Sequence, residues 1–566
     1  MLFSLKHCVP LHLVLGLLSV TPSAQASWIQ MCATDTVSSM VTMATMTATD
    51  GTQRNLGLVQ EISPACRSVA FPLPPHAVTA IYMVGAELLT PSVQEVQVID
   101  EVRGGKSSIV AVRSGMADKA QDFTDRHPVP LGENLLPTLT ERVYGVEERV
   151  QVSRIEGGLL VQCAAGRRAA GVALRSPWYL PKAELLVRVQ GRGRGTFAVN
   201  LTDTNSRKID DVAARLGTFN AGTRGGVFPL LGDGLNRREW DSLTLECPLH
   251  QTEFFLESVI LEARLHPVPP RSTWVWDAQQ WQETPLKVFM HAAQHGIGLV
   301  HITVPVHNGV VQHHEQLASF ARQASQRGLK VWSVDGDPRM VLPGEHAAAV
   351  DRVRAYLAYN AKVDAEAAIQ GVQFDVEPYL LAEYTTAPAM WDKQYLALAE
   401  AVHKAVQDLP LEWAVPFWWS DKPELLQALA LFTSGLNVMN YQTDAQKIYR
   451  SAVPFLDWAA THGKQVRIAL EAGPIEAQRA SRYKRAAKGQ LWLVPMADFA
   501  IMVLLDAPHT NPYGHAFELT GVDIDNGHTV TFNGREDQLR KLIPALESRF
   551  SAWHGFAGIA LHEFFP

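Results

Sequence analysis

From residue 273 onward, short apolar runs alternate with longer stretches of helical periodicity, and that alternation constrains the fold more than any other feature. The runs are TWVWD, GLVHITVP, LKVWSVD, GVQFDVE, EWAVPFW, LNVMNY, VRIALE and GIALHEF. Each is short, rich in Val, Ile or aromatic residues, and suits a strand buried on both faces. Between them, segments such as QLASFARQASQRG and DKQYLALAEAVHKAVQDL carry apolar residues at the spacing of an amphipathic helix. Strand–helix alternation implies parallel strands, because parallel neighbours need a crossover connection. Eight such units match a (β/α)8 TIM barrel, expected over 271–566. A doubly wound sheet is the alternative, but no Gly-rich phosphate loop follows the first run.

Two departures from a regular barrel are expected. Little chain follows the eighth run, so the barrel lacks its last helix and the linker or β-domains must cover that flank. The seventh connection is long: a hairpin-bearing insertion at about 474–534 includes LWLVPMADFAIMVLLDA and GVDIDNGHTVTFNG.

Upstream of the Pro-rich step LHPVPPRSTWVWD the pattern changes to alternating β-structure broken by Gly, Asn and Asp. Residues 148–265 read as a β-sandwich and 27–147 as a smaller, mostly β domain. The first 26 residues, with Lys6, an apolar stretch and Ala24-Gln25-Ala26, read as a signal peptide, so the protein is expected to be exported, periplasmic or secreted. No later segment is long enough to span a bilayer. Cys32, Cys66, Cys163 and Cys247 then remain, allowing two disulfides; Cys32–Cys66 and Cys163–Cys247 keep each bridge within one expected domain, and the other two connectivities stay open. A net charge of -7 gives no electrostatic reason to expect nucleic acid as a partner.

In such a barrel the chemistry sits where strands end and loops begin. Those positions hold Trp276, Asp277, His301, His307, Asp335, Asp337, Asp375, Glu377, Trp418, Trp419, Asn440, Tyr441, Glu471, His562 and Glu563. Asp375 and Glu377 lie two apart, on one face of a strand. Two close carboxylates repel when both are ionised, which raises the pKa of one and suits it to general-acid work. Glu377 is therefore the expected acid/base. Eleven of fourteen Trp residues lie after residue 270, and their flat rings suit stacking on sugar faces. Of Trp418 and Trp419, one is expected in the core and one at the site.

QGVQFDVE resembles the fourth-strand signature D-G-x-D-x-D-x-E of the family-18 chitinase-like glycoside hydrolases. Gly371, Asp375 and Glu377 match, while Gln370 and Gln373 replace the first two aspartates. The resemblance implies that Glu377 protonates the leaving oxygen and that Asp375 orients a substrate N-acetyl group acting as nucleophile. VMNYQTD resembles the family's sixth-strand Met-x-Tyr segment, which implies that Tyr441 holds the acetamide. Glu471 at the seventh strand is similar in position to the nucleophile of the large retaining clan on the same barrel, although Val376 stands where that clan has Asn. With either nucleophile the expected outcome is retaining. The preceding β-domain resembles the galactose-binding-like jelly rolls found beside such barrels, and scaffold is its expected role.

The expectation is thus an exported glycoside hydrolase acting on a polysaccharide, such as an envelope or extracellular glycan with N-acetylated amino sugars, with no organic cofactor. Trp276, Asp277, Asp335, Trp418, Trp419, Asn440, His562 and Glu563 are its expected substrate contacts. A non-catalytic carbohydrate-binding barrel is one competitor. A metal-dependent hydrolase or deacetylase is the other, although His301, His307, Asp335 and Asp337 show no H-x-H or HExxH spacing. His313-His314-Glu315 reads as a solvated helix start, and GRGRG at 191–195 as a loop between strands.

Overall fold

The structure, a computed structural model, describes residues 26–563 apart from 34–43, 48–52, 56–64, 73–76, 92, 104–105, 117–126, 204–213, 231–239, 382–387, 476–477, 496–498 and 526. The expected signal peptide, except Ala26, lies outside the described residues. The chain divides into two compact units: residues 1–120, 377–395 and 475–527 form one, and 121–376, 396–474 and 528–566 the other.

The second unit contains a closed barrel of eight parallel strands. They are β1 (Arg271–Val275), β2 (Ile297–Thr303), β3 (Lys330–Asp335), β4 (Val372–Phe374), β5 (Leu411–Pro416), β6 (Gly435–Met439), β7 (Gln465–Glu471) and β8 (Phe556–His562). Each pairs with its neighbour in order, and β8 closes on β1. The eight runs expected from the sequence supply these eight strands. Strands buried on both faces read as mostly apolar runs: every residue of β5 and β6 is buried, Glu412 and Asn437 included.

The register decides which side chains face the barrel axis. Trp274 aligns with His301, His301 with Trp332, and Val334 with Gln373. Gln373 aligns in turn with Glu412. Because side chains alternate, Asp335 aligns with Phe374 on the opposite, helix-facing side. That parity settles the surroundings of several candidate residues.

The last described helix, Glu536–Phe550, lies before β8 rather than after it. Part of the barrel's flank is met by the β-sandwich of the same unit. The hydroxyl of Tyr449, in helix Ala445–His462, donates to Val129 O at 2.9 Å. Asp457 of that helix accepts from Lys182 N at 2.7 Å and from the Trp553 indole at 2.9 Å. Its carboxylate is buried and bridges sandwich, helix and turn.

The sandwich consists of two five-stranded antiparallel sheets. Phe197, Phe219 and Phe254 pack together between them, with ring centres 5.1–5.8 Å apart. Strand Thr140–Gly145, ahead of the boundary expected at 148, pairs with Ala170–Arg175 and so belongs to the sandwich. A disulfide joins Cys163 to Cys247. Cys32 and Cys66 stand opposite one another in an antiparallel register, but their side chains lie outside the described residues.

The first unit is built on a seven-stranded antiparallel sheet in the order Val78–Gly85, Phe499–His509, Gly489–Pro495, His515–Asp525, Gln478–Ala486, Val93–Arg103, Lys106–Met116. The insertion and the N-terminal region were expected as separate pieces; here they share one sheet. Val96 and Val98 pack with Tyr483, Leu491, Leu493, Met502 and Phe517 in its core. The insertion strands are apolar because Leu491, Trp492 and Leu493 in succession are all buried, so both faces are covered. Among the described residues no helix is long and apolar enough to cross a membrane.

Candidate active site

At the C-terminal ends of the barrel strands the inward positions of β1, β7 and β8 converge on one imidazole, that of His562. Its Nδ1 lies 2.7 Å from Glu471 Oε2, and the Trp276 indole donates to its Nε2 at 3.0 Å. Tyr441 stacks on it with ring centres 5.9 Å apart, and Trp274 meets it edge-on at 5.4 Å. Tyr441 and Trp276 pack on the small cluster of Trp274, Val334, Ala469 and Ala560. Small residues at 469 and 560 leave room for these rings.

Burial disfavours charge on His562, but the hydrogen bond with Glu471 and the charges of Glu471, Glu563 and Asp375 outweigh it and raise its pKa above the ordinary histidine value. The Trp276 N–H acts in the other direction. It can donate only to an unprotonated Nε2, which fixes the neutral Nδ1–H tautomer in this geometry. The carboxylate charges are the stronger influence, and protonation of Nε2 breaks the indole contact.

Glu471 is only 5% exposed. One carboxylate oxygen accepts from His562 and the other from Gly473 N at 2.7 Å. Both are thus engaged in positioning the imidazole and the turn after β7. Asp375 is partly buried and follows Gln373 by two residues, on the barrel's inward side. Its backbone N–H donates to Asp335 O at 2.8 Å, and a Cβ on Gly336 would come within 2.2 Å of Asp375 O, so glycine is needed for this approach. Glu377 is partly buried, opens the short 3-10 turn Pro378–Leu380 and accepts a hydrogen bond from the Tyr379 hydroxyl.

The other expected contacts divide by orientation. Asp335 pairs with Arg352 at 2.8 Å and accepts from Tyr356 at 3.2 Å, both on helix His346–Asn360. Burial raises its pKa despite that cation. Asn440 is fully buried; its amide donates to Ile448 O, and its carbonyl accepts from Gln442. Asp277 is exposed and caps the helix Ala278–Glu283 by accepting from Gln279 N. Trp419 is buried while Trp418 is 44% exposed. Glu563 is exposed, with a left-handed φ of 44°, and its side chain lies over Gly473. Asp337 caps a 3-10 turn by accepting from Arg339 N, and His307 is exposed on a two-residue strand.

One layer below His562 lies a polar network of which the strand-end reading named only His301. Gln373, fully buried, accepts from the Trp274 indole at 2.5 Å and donates to Glu412 Oε2 at 2.7 Å. Its second amide hydrogen faces His301 Nε2 at 3.2 Å. Burial lowers the pKa of His301 despite Glu412, which favours the neutral ring. Burial pushes Glu412 up, but the Arg467 guanidinium, His301 and Gln373 hold it below the usual carboxylate value. Arg467 Nε lies 3.2 Å from Glu412 Oε1 without the alignment of a hydrogen bond, so the pair is a charge contact. The available signal was a lone Glu and a lone Arg within apolar strands, LEWAVP and QVRIALE.

No protein-family signature matches the chain, and no curated protein does. Solved structures match at low similarity. The spore cortex-lytic enzyme of Bacillus cereus is 11% identical, with a TM-score of 0.30, over 55% of this chain and 75% of its own. A GH18 chitinase from Cycas revoluta, in complex with (GlcNAc)3, is 12% identical, with a TM-score of 0.29, over 52% and 94%. The CBM22-1–GH10 modules of a Clostridium thermocellum xylanase, complexed with xylohexaose, are 10% identical, with a TM-score of 0.26, over 59% and 80%. At these values none bears on activity, and the barrel assignment rests on the strand pairing itself.

Proposed function

We propose that the protein is a glycoside hydrolase acting on a polysaccharide that carries N-acetylated amino sugars. Glu377 is the acid/base, Asp375 orients the acetamide nucleophile, and Tyr441 assists it. The observation that carries this reading is the register of β4, which puts Asp375 on the inward side of the barrel, close enough to His562 for its charge to act on the imidazole. The aromatic lining of Trp276 and Tyr441 supports a sugar ligand. Glu471, with both oxygens engaged, acts here as the partner that positions His562, which favours the substrate-assisted route over an enzyme nucleophile. The neutral Gln373, where the family signature has Asp, favours a second reading: a barrel that binds glycan without turnover.

The test is product release from N-acetylated and unmodified polysaccharides, read by mass spectrometry for wild type, Glu377→Gln and Asp375→Asn. Cleavage by wild type of acetylated substrates alone, lost in both variants, is expected. Binding without cleavage by any form supports the second reading. Cleavage retained by Glu377→Gln removes Glu377 as the acid.

A further inference from the structure

Away from the barrel mouth, three metal-ligating side chains meet where the sandwich, the linker and the barrel come together in the second unit. Glu184 immediately precedes the sandwich strand Leu185–Gly193, His266 follows strand Thr252–Ala263, and His554 lies in the turn before β8. One ligand atom from each lies within 4.8 Å of the other two. His554 Nε2 is 3.1 Å from Glu184 Oε1, and the two imidazole centres are 3.8 Å apart.

One further observation points to a ligand. His266 Nε2 is closed off from solvent and has no hydrogen-bond partner among the described residues. Leaving a buried polar atom unsatisfied costs about 1–3 kcal/mol. The backbone that carries these side chains is held in place: His266 N donates to Ser551 O at 3.0 Å, and Arg264 N to Glu184 O at 2.8 Å.

We propose that Glu184, His266 and His554 bind a divalent transition-metal ion of the zinc type, with water as the fourth ligand, pinning the sandwich to the barrel. Two imidazoles and a carboxylate are a donor set for zinc-like ions; calcium and magnesium take oxygen ligands. Ligand atoms around tetrahedral zinc sit ~3.3 Å apart, given Zn–N distances of about 2.0–2.1 Å. His554 Nε2 and Glu184 Oε1 are already 3.1 Å apart, and their side chains, 72% and 43% accessible, have room to adjust around an ion. Arg264 Nη1 lies 3.4 Å from the other oxygen of Glu184, and its side chain is 74% exposed and free to turn away. The alternative is a Glu–His hydrogen bond beside a tilted ring contact, which gives no metal dependence.

The experiment uses the chelator-treated full chain without a histidine tag, titrated with Zn2+ by calorimetry and with Co2+ by absorption. One equivalent of uptake, a tetrahedral cobalt spectrum and a Zn2+-dependent rise in melting temperature are expected. His554→Ala and Glu184→Gln should each weaken uptake by more than the ~10–100-fold that losing an outer-shell partner costs. Because both side chains are exposed, the metal-free melting temperatures of these variants should match wild type, which separates a lost ligand from a lost fold. Absence of saturable one-to-one uptake overturns the proposal. So does uptake unchanged in both variants.

Discussion

Gln373 donates its side-chain amide to Glu412 at 2.7 Å, and both side chains are buried inside the barrel. The pairing explains why position 373 is an amide here. A carboxylate at that place would face the carboxylate of Glu412, and two unit charges ~4 Å apart repel by about 4 kcal/mol at an effective dielectric of about 20. The buried negative charge stands on β5, balanced by Arg467 on β7, and β4 contributes a neutral bridge. Gln373→Asp is therefore expected to destabilise the fold by several kcal/mol, and adding Glu412→Gln should recover most of the loss. Thermal and urea unfolding of the two variants check this; equal stability of the single and double variants would contradict it.

Glu412 and Arg467 should behave as a buried ion pair. Removing one partner leaves the other charge stranded, which typically costs about 3–5 kcal/mol, whereas replacing both with apolar residues is often neutral. Glu412→Leu is expected to lower the unfolding free energy strongly, and Glu412→Leu with Arg467→Leu to restore it. The folded-state pKa of Glu412 is depressed, so its contribution is present above the unfolded carboxylate value and is lost as pH falls through the folded value. A double-mutant cycle repeated at neutral and acidic pH measures both effects.

The imidazole of His562 lies between opposing influences, and single substitutions should move it in opposite directions. Trp276→Phe removes the donor that favours the neutral ring and should raise its pKa further. Glu471→Gln removes the adjacent negative charge and should lower it. Histidine-ring NMR titration reads both shifts. The folded pKa is raised, so the stability His562 contributes is complete below the unfolded value of ~6.5 and fades as pH climbs through the folded value. The melting-temperature gap between wild type and His562→Gln should narrow over that window.

On the proposed glycan-binding reading, parity along the strands distinguishes ligand contacts from scaffold. Asp335→Asn should reduce stability, because Arg352 loses its partner, yet leave glycan binding within experimental error of wild type. Trp276→Ala and His562→Ala should lose binding. Affinity electrophoresis on immobilised polysaccharide, run beside unfolding curves, distinguishes the two classes. Weakened binding by Asp335→Asn at unchanged stability would place that residue at the site.

The barrel was legible in the sequence because each strand is a short, mostly apolar run between helical periods, as in LKVWSVD and VRIALE. Strand ends drew attention to Asp335 and Asn440 together with Asp375 and Tyr441, but a run buried on both faces does not mark which of two adjacent residues turns inward. Only the register of β3 against β4 places Asp335 beside Phe374. Glu412 and Arg467 escaped notice because they lie within strands, where a single charge gives no hint of a partner two strands away. The shared sheet of the first unit was hidden for another reason. Its strands obey ordinary alternation on each side of the barrel sequence, and nothing local indicates that Val96 pairs with Tyr483.

That pairing bears on how the chain is made. Strands Val78–Gly85 and Val93–Arg103 emerge early, while their partners Phe499–His509 and Gln478–Ala486 come only after seven barrel strands. Until then the early strands expose unsatisfied edges, which invite wrong pairing during synthesis. A chain stopped after β7 would retain the first seven barrel strands but leave those edges bare. The first unit is thus completed only after β7 has been made, and an intact sheet certifies that the seven barrel strands between its two parts have been delivered.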